Sequence, residues 1–211
     1  MAYVLGYIFA DGAVYKNPRG SWFLEFTSTD KEIIENIRKL LKSEHKISKY
    51  EKNRLNSNWK NRYRLQIGGK EIIAKLSNFG IKQNKSLSVK FPSVPAKYMS
   101  HFVRGYFDGD GCISFGKYWN KDRQKFRWRV TSLFTSGSRE FLEGLKKSLK
   151  NCVKGGYINQ KNRGFDLVFS LKDSLALFNL MYNNTTAETY LKRKYNKFVS
   201  ALKIMNSAGV A

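Results

Sequence analysis

Hydrophobic residues recur at helical spacing in two short stretches, 4–10 and 99–109, and each stretch gives way to segments in which apolar and polar residues alternate. The first spacing predicts helices and the second predicts strands. Behind the first helix, residues 13–16, a turn at Asn17-Pro18-Arg19-Gly20 and residues 21–27 predict a hairpin. Behind the second, residues 112–118, a polar loop near 120–124 and residues 125–131 follow in the same order. Each part then starts another helix. Thr29 with Glu32 predicts a capping box ahead of Ile33, Ile34, Ile37, Leu40 and Leu41. The counterpart begins near Ser138 and puts Phe141, Leu142, Leu145 and Leu149 on one face. A second basic hairpin follows each helix, ending in residues 63–67 and 165–169. A last helix closes each part, with Ile72, Ile73, Leu76 and Phe79 before Gly80 in one and Leu175, Leu177, Phe178 and Met181 in the other.

The identical order makes the chain a helix-hairpin-helix-hairpin-helix unit written twice, an α+β fold. The expected organisation is an N-terminal repeat at 1–85, a connector at 86–97 containing Pro92 and Pro95, a C-terminal repeat at 98–206 and a short tail at 207–211. The repeat is also visible in the residues themselves. Val4-Leu5-Gly6-Tyr7-Ile8-Phe9-Ala10-Asp11-Gly12 returns as Val103-Arg104-Gly105-Tyr106-Phe107-Asp108-Gly109-Asp110-Gly111. Small residues four apart, Gly6 with Ala10 and Gly105 with Gly109, let two helix backbones touch. Helices packed in this way bring Asp11 and Asp110 to the same end of the pair.

Composition turns this geometry toward a chemistry. A chain of 211 residues, 42% hydrophobic and 15% aromatic, has the material for a core, which argues against disorder. Its 39 Lys and Arg against 16 Asp and Glu give a formal net charge of +23, spread along the chain. Such a surplus repels itself unless a polyanion neutralises it, so nucleic acid is favoured over a membrane surface. No apolar run approaches the roughly 20 residues that span a bilayer. No charged-then-apolar leader precedes Tyr3, so an intracellular, non-secreted protein is expected, whether in cytoplasm or organelle. Cys112 and Cys152 lack the spacing of a zinc site or a disulfide framework and read as reduced and structural. A carboxylate pair beside a polyanion points to metal-assisted phosphodiester cleavage.

The paired motifs, their place in each half and the helix-hairpin repeat resemble the LAGLIDADG homing endonucleases in their single-chain, two-repeat form. The resemblance covers nearly the whole chain. It is strongest in His101-Phe102-Val103-Arg104-Gly105-Tyr106-Phe107-Asp108-Gly109-Asp110-Gly111, with Phe91-Pro92 ahead of it and Tyr190-Leu191-Lys192-Arg193-Lys194-Tyr195 near the end. The first motif is looser, with Phe9 where the second has Asp108. The resemblance implies an αββαββα unit in each half, motif helices packed at the centre and two four-stranded sheets forming a pseudo-symmetric saddle over DNA. It further implies that Asp11 and Asp110 are metal ligands, that the carbonyls of Ala10 and Gly109 complete the shell, and that Asp108 is the earlier, non-ligand acid. Each metal-bound acid would serve one strand across the minor groove, leaving short 3′ overhangs, with a monomer acting as a pseudo-dimer.

Phosphodiester hydrolysis needs an activated water and a neutralised leaving oxygen, and divalent metals supply both. Hard oxygen ligands select Mg²⁺, with Mn²⁺ able to substitute and Ca²⁺ expected to support binding without cleavage. His45 and His101 belong to no cluster, so a histidine general base is disfavoured. Lys85 and Lys192, in comparable basic segments of the two halves, are the candidates for stabilising charge on the phosphate. Strand alternation puts Arg62, Arg64 and Gln66 opposite Tyr63, Leu65 and Ile67, and Arg127, Arg129 and Thr131 opposite an aromatic face of Phe126, Trp128 and Val130. These basic faces are expected to lie in a major groove, where Arg bridges guanine and Gln bridges adenine. The other hairpins supply Lys16, Arg19, Lys46, Lys49, Lys117, Lys121, Asn159 and Lys161. Asp166, Val168 and Ser170 replace the Arg-Arg-Gln face in the second half, so an asymmetric target is expected. The expected protein is a site-specific, Mg²⁺-dependent double-strand DNA endonuclease. Its rivals are a splicing maturase on the same scaffold, with host intron RNA as partner, and a catalytically silent DNA-binding regulator, against which both acids count. An intein-embedded nuclease is disfavoured because no flanking splicing segment is visible.

Overall fold

The computed structural model describes residues 1–51, 60–183, 185–186 and 189–207, so the tail expected at 207–211 lies, apart from Ser207, outside the described residues. The first half runs α1 (Ala2–Asp11), β1 (Gly12–Lys16), β2 (Trp22–Ser28), α2 (Lys31–Leu40), β3 (Ile47–Tyr50), β4 (Arg62–Gly68) and α3 (Lys70–Ser77). A single 3-10 turn, Lys85–Leu87, lies in the link to the second half. There the order repeats as α4 (Ala96–Asp110), β5 (Gly111–Asn120), β6 (Lys125–Ser136), α5 (Arg139–Leu149), β7 (Tyr157–Lys161), β8 (Gly164–Phe169) and α6 (Leu171–Tyr182). Each half is an αββαββα unit carrying one four-stranded antiparallel sheet, ordered β1-β2-β4-β3 and β5-β6-β8-β7.

The second half adds α7 (Lys192–Ser207), a helix the sequence reading did not separate from the repeat. Buried Leu191 just before it and buried Lys194, Phe198, Ala201 and Met205 within it follow one face, and Phe198 packs on Phe107 of α4 and Phe178 of α6. Its first residues reach back to the other half, where Arg193 pairs with Asp30 at 2.8 Å and Lys192 with Glu32 at 3.6 Å. That contact explains why the capping box expected from Thr29 and Glu32 does not form. The N-cap of α2 is Asp30, and its carboxylate faces Arg193 instead of the α2 backbone. In α5 the expected cap is present, with Ser138 Oγ accepting the Phe141 N–H at 3.2 Å.

The core is continuous across the two halves because α1 and α4 pack backbone to backbone. A Cβ built on Gly6 would fall 2.0 Å from the Phe102 carbonyl oxygen, and one on Gly105 would fall 1.9 Å from that of Tyr3. Phe9 exploits the closeness, crossing into the other half to meet Phe102 and Phe141 at centroid separations of 5.5 and 5.7 Å. Aromatic pairs of this kind add to the free energy of area burial. Two boundaries differ from expectation. Helix α4 begins at Ala96, earlier than its apolar periodicity, and Ser170 lies beyond β8 as the N-cap of α6, so it is not part of a strand face. No helix among the described residues is long and apolar enough to cross a membrane.

Candidate active site and nucleic-acid interface

Asp11 and Asp110 are each the last residue of their helix, and β1 and β5 start at the next residue. The acids therefore sit where the helix pair enters the two sheets. The small residues before them set how close they come. A Cβ on Gly109 would lie 2.4 Å from Ala10 Cβ and 3.3 Å from Asp11 Oδ2, so the Asp11 carboxylate lies over Gly109, next to Asp110. A helix C-terminus is the negative pole of the peptide dipoles, which makes it an unfavourable place for two carboxylates without cations.

Two buried lysines supply positive charge at this end. The Lys85 ammonium donates to the Ala10 carbonyl at 3.4 Å. The Lys194 ammonium lies within 2.7 to 2.9 Å of four carbonyl oxygens, those of Phe107, Asp108, Gly109 and Gly111. It caps the carbonyls of the last turn of α4, among which that of Phe107 also accepts the Gly111 N–H, and the first carbonyl of β5. Both lysines are buried. Of the two expected lysines, Lys85 lies at this end, whereas Lys192 points to the exposed surface against Glu32, and Lys194, two positions on, is the lysine of the second half that reaches the centre. The signal that locates it is helical phase, since 191, 194, 198, 201 and 205 share one face and Lys194 is the only cation on it.

Burial governs the electrostatics. Asp11 keeps solvent-exposed surface, yet protein crowds it on the helix-pair side, and this desolvation raises its carboxyl above the ordinary value against the pull of Lys194, Tyr7 and Lys85. Asp110 is pushed up to about 6, first by burial and then by the Asp11 charge, again opposed by Lys194 and Lys85. Burial lowers both lysines, Lys194 to about 8, while the acids hold them up. One turn before each acid stands a buried tyrosine that the sequence reading missed. Tyr7 lies beside Asp11, and Tyr106 donates to the Thr135 carbonyl at 2.8 Å.

This donor set fits a hard divalent cation. Carboxylates raised by burial and mutual repulsion are relieved when a cation stands between them. Among the described residues no three His, Cys, Asp or Glu side chains gather as a metal cluster, and the oxygen donors gathered at this end are two carboxylates with main-chain carbonyls. The Ala10 and Gly109 carbonyls each already accept from a lysine, and a carbonyl's second lone pair leaves room for a cation. Oxygen donors alone suit Mg²⁺, Mn²⁺ or Ca²⁺.

Strand register decides which candidate side chains share the open face of each sheet. In the first sheet Gln66 pairs with Glu25 and Arg64 with Thr27, on the face opposite buried Leu65, Ile67, Leu24 and Phe26, and Arg62 follows by alternation. In the second, Arg127, Arg129 and Thr131 face away from buried Val130, Ser132 and Phe134, with Asn159 and Lys161 on the same side of β7. Lys16, Lys49 and Lys117 do not share these faces. They pair with Trp22, Tyr63 and Trp128 on the helix side of their sheets, and Lys16 and Lys117 lie over those tryptophan rings. Arg19, Lys46 and Lys121 are exposed in turns and loops. Within the basic face of the first sheet lies an acid not anticipated from the sequence. Glu25 accepts from Gln66 at 2.8 Å and pairs with Arg64 at 3.7 Å, holding both planar groups in place. Asp166 does the same for Lys161 and Thr135, at 2.6 and 2.7 Å.

The two halves differ most in reach. β5 and β6 have 10 and 12 residues against 5 and 7 for β1 and β2, and β8 pairs only with the end of β6 from Ser132 onward. The outer part of this hairpin is a two-stranded ribbon beyond the core. The aromatic face expected opposite Arg127, Arg129 and Thr131 is therefore buried only in part: Val130 is buried and Trp128 half-buried, but Phe126 is 66% exposed and rests edge-on against Trp119.

Residues 1–84 match a family model described as a LAGLIDADG-like domain, and residues 103–205 match one described as a LAGLIDADG endonuclease. The fold is shared with solved structures. The meganuclease I-SmaMI bound to uncleaveable DNA aligns over 96% of this chain and 88% of its own at 15% identity and a TM-score of 0.63. The LAGLIDADG meganuclease I-AabMI bound to uncleaved DNA aligns over 98% and 90%, at 14% identity and a TM-score of 0.66. Among curated proteins, a reverse gyrase of Methanocaldococcus jannaschii is 27% identical over 69% of this chain, and a probable translation initiation factor IF-2 of Thermococcus kodakarensis is 28% identical over 83%. The chain spans only 8% and 14% of the length of those relatives.

Proposed function

The chain belongs to the LAGLIDADG endonuclease family, and we propose that it is a site-specific endonuclease that cuts both strands of duplex DNA with Mg²⁺ and leaves short 3′ overhangs at a long, asymmetric site. One arrangement carries this reading: Asp11 and Asp110 side by side at the carbonyl end of the helix pair, between two sheets whose open faces carry arginines. The charge of +23 gives the duplex its affinity, and the arginine faces give register and base contacts.

Asp11 and Asp110 would hold the divalent metal with the carbonyls of Ala10 and Gly109. When bound, the metal supplies a Lewis acid that makes water nucleophilic and neutralises the departing oxygen. Lys85 and Lys194 place positive charge at the same helix ends, where a phosphate develops negative charge during displacement. The helix pair holds the acids in a fixed relation, so each strand meets one carboxylate without further rearrangement. The curated relatives carry three unrelated names, a reverse gyrase, an RNA polymerase subunit and an initiation factor, and match over 8–15% of their lengths. That pattern supports a nuclease module and none of those activities, and it favours a second reading in which such a module is carried within a larger host polypeptide. The apparent mass of the natural product in cell extract separates the two.

The test is a randomised duplex library incubated with Mg²⁺, with Ca²⁺ in parallel, followed by sequencing of cut ends. Discrete Mg²⁺-dependent cuts, binding without cleavage in Ca²⁺, and loss of double-strand cleavage in Asp11→Asn and Asp110→Asn with binding retained are expected. Binding without cutting in either metal would assign the chain to the regulator or maturase class. Full cleavage by either variant would remove the acids from the mechanism.

A further inference from the structure

The second motif carries a base and an acid where the first is apolar: Arg104 in place of Leu5, and Asp108 in place of Phe9. Both are buried, Arg104 at 0% exposure and Asp108 at 4%. Burying charge costs free energy that only well-made hydrogen bonds repay, so the partners of this pair indicate its purpose. Arg104 Nη1 donates to the Met181 carbonyl, Nε to the Thr189 carbonyl at 2.5 Å and Nη2 to Thr189 Oγ1 at 3.3 Å, with His101 Nδ1 at 2.8 Å. Asp108 Oδ2 accepts the Tyr3 hydroxyl at 2.7 Å and the Leu191 N–H at 2.8 Å.

Outside α1 and α4, every one of these partners is at the end of α6 or in the segment leading into α7. The Leu191 carbonyl in turn accepts the Lys194 and Tyr195 N–H groups at 3.0 and 3.1 Å, forming the first turn of α7. Asp108 thus grips α7 at its N-terminal pole, where a carboxylate is favoured, one turn ahead of Lys194. Among the described residues the first half has no such grip. Phe9 and Leu5 pack against apolar neighbours, and Lys85 makes one 3.4 Å bond where Lys194 is close to four carbonyls.

We infer that Arg104 and Asp108 are positioning residues that dock Met181 at the end of α6 and Thr189 and Leu191 at the entry to α7 onto α4, and thereby fix Lys194 at the carbonyl end of α4, beside Asp110. The two half-sites are therefore built unequally, the second held by this polar latch and the first by apolar packing. The consequence for cleavage rests on the nuclease reading above, whereas the placement of Lys194 is a property of the folded chain.

Two measurements on the full chain test this. In metal-free, lysine-labelled protein, side-chain ammonium NMR gives a slowly exchanging Lys194 signal, assigned by its loss in Lys194→Met. That signal persists in Asp108→Asn, which keeps an acceptor for the Leu191 N–H, and disappears in Asp108→Ala. Cleavage of the library-selected duplex is then followed with each strand labelled separately, and Lys194→Met identifies the strand served by the second half-site. Asp108→Ala slows that strand about 10–100-fold relative to the other, Asp108→Asn restores it, and the Asp108→Ala/Lys194→Met double variant is no slower than Lys194→Met alone. If Asp108→Ala does not fold, Leu191→Pro removes the same N–H at a helix entry that tolerates proline, Leu191→Ala controls for loss of the buried leucine side chain, and a strand bias beyond that of Leu191→Ala is expected. An unchanged ammonium signal in Asp108→Ala, equal slowing of both strands, or full additivity with Lys194→Met overturns the inference. A wild-type chain that cuts no duplex removes the nuclease reading while the ammonium signal still decides the placement.

Discussion

Replacing Gly105 with alanine would put a methyl group 1.9 Å from the Tyr3 carbonyl oxygen, 2.8 Å from its carbon and 3.0 Å from the Tyr7 nitrogen. All three are backbone atoms of α1, so no side chain can rotate out of the way. Reaching ordinary van der Waals separation requires the helices to part by about 1.5 Å. Overpacking of this kind costs about 1–3 kcal/mol, and a clash with backbone belongs at the upper end. The active site would feel the same displacement, because the packing of α1 on α4 sets how close Asp11 and Asp110 come. A shift of about 1 Å at reacting groups costs about 10²-fold in rate. Urea unfolding gives the stability change from the midpoint at constant slope, and cleavage of the selected duplex gives the rate. Gly116→Ala is the control, since its Cβ would meet nothing within 4 Å, and its stability is expected to stay within about 0.5 kcal/mol of wild type. If Gly105→Ala unfolds at the same midpoint as Gly116→Ala and cleaves at the wild-type rate, the backbone contact does not set the geometry of the acids.

Divalent cations should stabilise the fold through the acid pair: Ca²⁺ at about a hundredfold over Kd raises the unfolding free energy by about 2.7 kcal/mol. Thermal melts should show that gain in wild type and not in the Asp11→Asn/Asp110→Asn double variant, and equal gains in both would place the cation elsewhere. The five-residue β1 and ten-residue β5 differ in reach by about 16 Å, roughly five base pairs. Footprinting should therefore extend further on one side, and replacing residues 117–126 with a short turn should remove that extension alone; a symmetric footprint would contradict the ribbon's role. Arg129→Ala should relax preference at one position by about 1–3 kcal/mol in a binding selection. Lys117→Ala, on the helix side of the ribbon, should change affinity uniformly or not at all, and a position-specific change there would reverse the facing deduced from register.

What the sequence determined by itself is what local periodicity and repetition can encode. Helical and alternating patterns are properties of neighbouring residues, and each was written twice, so the order of elements, the small residues between the motif helices and the two acids at their ends were all legible. Ser138 as a cap was legible for the same reason, since its hydrogen bond spans three residues. Tertiary structure decided wherever a side chain's partner lies far along the chain. Asp30, not Thr29, ends up beside α2 because Arg193 arrives from α7. Strand register turned Lys16, Lys49 and Lys117 to the helix side, and Glu25 was brought among the arginines and Gln66 by pairing across β2 and β4. The central lysine moved from position 192 to 194 because a helix turns about 100° per residue, so two positions separate an exposed side chain from a buried one. Which of them meets the end of α4 depends on how α7 is docked, and that docking is fixed by Arg104 and Asp108, some 85 residues earlier in the chain.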